Sequence, residues 1–246
     1  MKKSLLALSV SIALLNISGI AQAKPTTKIN AEPNATAGKT KSESCAGCHG
    51  EGGNSMMPLF PKLADQNEEY LVKQMEAFKD GSRVGPTMSA MVATLTSKDF
   101  RDIASYYEKQ KVTANSLPEF DIDDDETASD LSEEEAVAAT EAKKQAAQEQ
   151  QDAMLAQGYD IYRNGDLESE ISACIACHGP YGEGNKPASF PALQGQHADY
   201  LIKTLTDFKN NARTKDSENI MHMVAKKMTE KEIKAVAYHI SIMKSN

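Results

Sequence analysis

The chain has 246 residues, a formal net charge of −8, 6% aromatic residues and no tryptophan. Such a length allows one large domain or two small ones, and two small ones with so few aromatics have thin protein-only cores that need a metal, a disulfide or a cofactor as a staple. A chain with this acidic balance is not expected to bind nucleic acid, whose phosphates call for basic patches.

Lys2 and Lys3 precede an apolar run from Leu5 to Leu15, and Ala21-Gln22-Ala23 supplies a small-x-small site. The pattern predicts a secretory signal peptide over residues 1–23, cleaved near Ala23, and an exported, periplasmic protein. The run is too short for a membrane span with proper flanks, and nothing later in the chain resembles a transmembrane helix.

Beyond the signal, the stretch SCAGCHGEGG carries Cys45, Cys48 and His49, and ACIACHGPYG later carries Cys174, Cys177 and His178; these four cysteines are the only ones present. Three chemistries use a C-x-x-C pair. A thioredoxin-like redox pair wants a strand–helix context, which is missing here. A zinc site needs about four ligands, and each motif offers two thiols and one imidazole. Covalent haem fits best: two thiols reach neighbouring edges of one porphyrin while the adjacent histidine reaches the iron. A buried porphyrin also fills a thin core.

The segment from Phe60 to Arg83 lines up without a gap on Phe190 to Arg213, with Phe, Pro, Leu, Gln, Tyr, Leu, Lys, Phe, Lys and Arg coinciding. Self-similarity at this period means a duplicated domain, and each copy has its own C-x-x-C-H. Pro61 and Pro191 follow the two histidines at similar spacing, so a fixed backbone carbonyl there could hold each imidazole. Asn67 is placed to start a helix with Tyr70, Leu71, Gln74, Met75 and Phe78 on one face. Thr96-x-x-Asp99 and Thr229-x-x-Glu232 resemble capping boxes that open a last helix in each copy. No convincing alternating strand is present, and the fold class predicted is all-α, as tandem domains of a few short helices around a bound haem.

Anchored on Leu95-Thr96 and Met228-Thr229, the repeat sets Met88 opposite Met221. Met91 then faces Val224, and Met223 faces Ala90, whereas Met56 and Met57 have no counterpart. Met88 and Met221 are therefore the candidate sixth iron ligands, and Met91 and Met223 ordinary core fillers. His222 is a rival ligand beside Met221, but the first copy has no equivalent histidine. His197 and His239 are expected on the surface or on a helix face.

Between the copies, residues 117–151 form a bridge of different composition. From Glu119 to Glu149 it holds twelve acidic residues against Lys143 and Lys144, a net of about −10, which is nearly all the charge of the exported chain. Its first part is expected to be disordered and its second a solvated helix. The domains expected are thus 24–116 and 152–246, with the bridge as a solubilising spacer or an arm that steers a basic partner.

With CAGCHG and CIACHG, the FPKL and FPAL blocks with their later Gln and Tyr-Leu, the Phe-Lys…Arg segment and the Met88 and Met221 loops, the chain resembles the dihaem cytochrome c4 family over nearly all of residues 37–112 and 153–244. The resemblance implies two class I cytochrome c domains related by a pseudo-twofold axis. It implies thioether sites at Cys45, Cys48, Cys174 and Cys177, and axial iron ligands at His49, Met88, His178 and Met221. It also implies periplasmic electron transfer, with a donor such as a quinol–cytochrome c oxidoreductase, a terminal haem–copper oxidase as acceptor, and membrane association in some members. The acidic bridge departs from that family, whose halves are joined closely, and leaves the packing of the two domains open.

Two filled axial positions favour a one-electron carrier over bond-making catalysis. The alternatives are a dihaem redox enzyme such as a peroxidase, which needs an open or displaceable ligand, and a haem-based sensor.

Overall fold

The computed structural model describes residues 32–117, 132–213 and 219–244. The expected signal peptide, and the part of the bridge expected to be disordered that covers 118–131, lie outside the described residues. The order of helices is α1 (Ala35–Lys41), α2 (Ala46–His49), a 3-10 turn (Glu51–Gly53), α3 (Glu68–Lys79), α4 (Pro86–Val92), α5 (Ser97–Glu108), α6 (Glu133–Asn164), α7 (Ile175–His178), α8 (Ala198–Lys209), α9 (Ile220–Ala225) and α10 (Glu230–Ser241). Helices α2 to α5 return in the same order as α7 to α10, and the last turns of α6 stand in for α1. The fold is all-α, with no strand among the described residues.

Local sequence sets the helix starts. Asn34 caps α1 by accepting from the Ala37 N–H at 3.0 Å. Thr96 with Asp99, and Thr229 with Glu232, form reciprocal capping boxes that satisfy otherwise orphaned N–H groups of α5 and α10. Pro86 opens α4, where its missing N–H costs nothing. Asn67 does precede α3, but it does not cap the helix; its Nδ2 donates to the Phe190 carbonyl of the second half at 2.5 Å.

In each half the first and last helices cross almost backbone to backbone. A Cβ on Gly38 of α1 would lie 1.9 Å from the Asp102 carbonyl oxygen of α5, and one on Gly158 of α6 would lie 2.1 Å from that of Ala235 on α10. Only hydrogen fits there. Around these crossings sit the apolar cores: Leu71, Ile103, Ala104 and Tyr107 in the first half, and Ile161, Tyr162, Leu201, Ile233, Val236 and Ile240 in the second. Helix α6 is 32 residues long and has two characters. Its last turns bury Ile161 and Tyr162 against α10. Its earlier turns are exposed, and polar pairs such as Lys144–Glu141 and Gln145–Glu149 support them along the helix. The helix therefore runs continuously from the bridge into the second half.

The halves pack directly against one another. Gln196 bonds both backbone groups of Lys62, and Gln66 bonds both backbone groups of Ala192. Arg83 donates to the Tyr200 hydroxyl at 3.2 Å, and Arg213 donates to that of Tyr70 at 3.0 Å. These partners exchange under the repeat register, so the interface is built on a pseudo-twofold relation. Asymmetric contacts add to it: Lys186 pairs with Glu108 at 3.0 Å, and Asn115 donates to the carbonyls of Gly195, Gln196 and Ser241. The question left open by the bridge is thus answered by close contact.

One buried carboxylate distinguishes the first half. The Asp102 side chain is fully buried and takes bonds from Lys41 at 2.6 Å, Lys98 at 2.8 Å and the Asn34 N–H at 2.9 Å. Burial acts to raise its pKa, but these donors outweigh it and hold the carboxyl down to about 2. A depressed folded value, against about 3.9 in an unfolded chain, contributes stability that is complete above pH ~4 and lost as pH falls towards 2. Acid titration of unfolding should show this loss, and Asp102→Asn should remove that part of the pH dependence. Gly158→Ala should push α6 off α10 and lower stability by about 1–3 kcal/mol, the usual cost of overpacking, as read from chemical denaturation.

Candidate haem sites

Each cysteine motif is wound into a single helical turn. The Cys45 carbonyl accepts from the Cys48 N–H at 3.2 Å and the His49 N–H at 2.9 Å; Cys174 does the same for Cys177 and His178 at 3.2 and 2.9 Å. Positions three and four apart share a helix face, so one turn carries both thiols and the imidazole. The following glycine is required. Gly50 and Gly179 have φ of 77° and 79°, and a Cβ on Gly50 would lie 2.2 Å from the Asn54 carbonyl oxygen. Burial pushes the Cys45 thiol up and the Cys174 thiol to about 11, the opposite of what a redox-active dithiol requires. Among the described residues no three or more His, Cys, Asp or Glu side chains converge as a metal-binding cluster.

The histidines are buried and oriented. His49 Nδ1–H donates to the Pro61 carbonyl at 2.8 Å, and His178 Nδ1–H donates to that of Pro191 at 3.0 Å. This bond selects the tautomer with its lone pair on Nε2, the arrangement of a metal-ligating imidazole. Burial lowers both imidazole pKa values, against the opposing pull of the carbonyls, and keeps the rings neutral. Phe60 and Phe190, from the same Phe-Pro motifs, lie with ring centroids 6.4 Å from the two imidazoles.

Sequence reasoning missed the tyrosines beside this turn. In the second half Tyr162 on α6 donates to the Gly179 carbonyl at 2.6 Å. In the first half the corresponding position, just after α1, is Ser42, and the tyrosine comes instead from α5 as Tyr107, whose hydroxyl interacts with Ser42 and Cys45. Burial raises the pKa of both phenols. The two sources align with different positions of the repeat, which hid the correspondence.

Met88 lies on α4 against Phe78, Val92 and Phe100. That cluster shares Val72, Met75 and Leu95 with the cluster on which Cys45 packs, so a continuous apolar wall joins the cysteine turn to Met88. Met221 has the equivalent place on α9 and is half-buried. Met91 and Met223, expected as core fillers, are instead 42% and 50% exposed, on the solvent side of α4 and α9, and Met56 is 90% exposed. His222 donates from Nδ1 to the Phe208 carbonyl at 2.7 Å. His239 lies on a helix face between Tyr159 and Tyr162. His197, expected at the surface or on a helix face, is half-buried between the halves and bonds the Ser55 carbonyl at 2.9 Å.

A charge imbalance between the halves bears on the cofactor. Arg83 stacks over Phe78 at 4.4 Å and Arg213 over Phe208 at 4.6 Å, and both donate to Gln74 Oε1, at 2.7 and 2.8 Å. Among the described residues neither has a carboxylate within ion-pair distance. Burial acts to raise the Tyr200 phenol, yet the two guanidinium charges bring it down to about 8. Two cations with no carboxylate partner among the described residues, beside an apolar wall, suit a porphyrin with two carboxylates.

This is the arrangement of a c-type haem domain, and it occurs twice. The profile of the cytochrome c family matches residues 35–111 and 155–244. A cytochrome c4 from Azotobacter vinelandii is 36% identical over 244 residues, covering 95% of this chain and 97% of that one. A thiosulfate dehydrogenase electron acceptor from Thiomonas intermedia is 32% identical, over 79% of this chain and 76% of its own. The crystal structure of reduced cytochrome c4 from Pseudomonas stutzeri aligns with a TM-score of 0.70 at 35% identity, over 86% of this chain and 99% of that one. The chain belongs to the dihaem cytochrome c4 family, and its cofactor is covalently bound haem c.

Gly50→Ala should strain the turn after His49 by about 1–3 kcal/mol. Thermal unfolding followed in the haem absorption should show one of two haem environments lost early, with the other unchanged.

Proposed function

We propose that the protein is an exported, periplasmic carrier that moves one electron per haem through domains 24–116 and 152–246. The observation that carries this is the doubled set of a thiol turn, an imidazole held by a proline carbonyl, and a methionine that recurs in register on α4 and α9. Cys45, Cys48, Cys174 and Cys177 would take the thioether bonds. His49 and His178, through Nε2, and Met88 and Met221 would ligate the iron. Bound there, haem supplies reversible Fe(III)/Fe(II) exchange, and His/Met ligation favours a raised potential with no open coordination site.

The resemblance supports a quinol–cytochrome c oxidoreductase as donor and a terminal haem–copper oxidase as acceptor, with peripheral association at the membrane. The relative named for accepting electrons from thiosulfate dehydrogenase supports a second donor class. Electron-transfer rates with each purified partner distinguish them. The peroxidase alternative requires a displaceable ligand, so rapid CO binding to the reduced protein would favour it.

A pyridine haemochrome assay with mass spectrometry should give two haems per chain. In the ferric protein Met88→Ala and Met221→Ala should each remove about half of the weak band at the red end of the visible spectrum that reports Met–Fe bonds. Loss on Met91→Ala or Met223→Ala instead would reassign the ligands. Deleting residues 119–149 should leave both haem spectra intact and slow electron transfer to a basic partner most at low salt, since a field of one sign is screened beyond about 10 Å at roughly 0.1 M. An unchanged rate across the salt series identifies the bridge as a spacer.

A further inference from the structure

The repeated Phe-Pro block carries a glutamine, Gln66 in one half and Gln196 in the other, whose role is not accounted for by haem attachment or ligation. Both are buried, at 6% and 7% exposure. Gln196 Oε1 accepts from the Lys62 N–H at 2.9 Å, and its Nε2 donates to the Lys62 carbonyl at 2.9 Å. Gln66 Oε1 accepts from the Ala192 N–H at 2.8 Å, and its Nε2 donates to the Ala192 carbonyl at 2.8 Å. Each oxygen also takes the next backbone N–H of its own chain segment, Asn67 at 2.9 Å and His197 at 3.1 Å, which pins the side chain at the start of α3 or α8.

The peptide unit that each glutamine grips is the same one that holds the opposite histidine. The Lys62 N–H belongs to the amide whose oxygen is the Pro61 carbonyl, and that oxygen accepts from His49 Nδ1. The Ala192 N–H belongs to the amide whose oxygen is the Pro191 carbonyl, the acceptor for His178 Nδ1. An unbroken chain therefore runs from each imidazole, through one amide, to a glutamine of the other half. Hydrogen bonds at the two ends of an amide reinforce one another: an acceptor on the N–H increases the negative charge on the carbonyl oxygen.

We infer that each glutamine is a crossed tuning residue: Gln196 sets the strength of the His49–Pro61 bond and Gln66 that of the His178–Pro191 bond, so that each half adjusts the iron bound in the other. The inference rests on His49 and His178 being iron ligands. A stronger acceptor at Nδ1 makes the imidazole more basic and stabilises the ferric state, which lowers the potential. Removing the glutamine amide weakens that acceptor and raises the potential of the opposite haem. Both halves are wired alike, so the effect is reciprocal.

The test is a spectroelectrochemical titration of the holoprotein, with the two haems told apart in a Met221→His background that lowers the second haem's wave. Gln196→Met should move the first haem's wave upward, so that this haem is more than half reduced at its former midpoint, and leave the second in place. Gln66→Met should move only the second. In the reduced, diamagnetic protein the NMR resonance of His49 Nδ1–H should shift upfield in Gln196→Met while that of His178 stays put. A glutamine that moved the haem of its own half, both haems together, or neither would overturn the inference and leave a packing role. If Met221→His displaced neither wave, the ligand reading would fall, and the His49 resonance would still decide whether Gln196 tunes that imidazole.

Discussion

The hydrogen bond from each histidine Nδ1 to a proline carbonyl joins parts of the chain that are otherwise independent. On one side it fixes the imidazole of a single helical turn that also carries both thiols. On the other it fixes the loop leading into α3 or α8, the helix that lines the apolar wall. The bond forms between buried groups, where an unpaired Nδ1–H would be costly. That cost orders the loop, and the ordered loop places Phe60 or Phe190 beside the ring. The same amide then offers its N–H outward, and the other half meets it with a glutamine. Orientation of the imidazole and association of the halves thus share one peptide unit.

Duplication has kept this framework and varied what surrounds it. The helix crossing survives through Gly38 and Gly158, because neither backbone can approach its partner past a Cβ. The tyrosine near the first cysteine survives by changing its source, from α5 to α6. Other features occur once. Asp102, with its lysine partners, corresponds to Ala235, and buried Lys62, which donates to the Thr113 carbonyl and Asn115, corresponds to Ala192. Two turns with the same Cys-x-x-Cys-His pattern therefore lie in different electrostatic surroundings.

The described hydrogen bonds and ion pair between the halves come from residues outside the acidic bridge. Their contact is made by side chains of the repeated block together with Glu108, Asn115 and Lys186. Among the described residues, the early turns of the long helix α6 are exposed, before its last turns join α10.

The chemistry was legible in the sequence. Thiols and imidazole within five residues can act together only on one turn, and a methionine that recurs in register stands out against scattered ones. Periodicity and caps marked the helices around them, because helix starts and apolar faces are local properties. The proline carbonyls were also anticipated, from their spacing after each histidine. Other features depended on tertiary structure. The crossing glycines look ordinary until two helices meet over them. Tyr107 and Tyr162 do not align in the repeat, so only folding shows that they serve one place. Asn67 has the sequence of a cap and is used instead as a contact between halves. The pairing of Gln66 and Gln196 with the opposite proline loops could not be read from the chain, because a hydrogen bond between residues more than a hundred positions apart is chosen by how two finished surfaces fit.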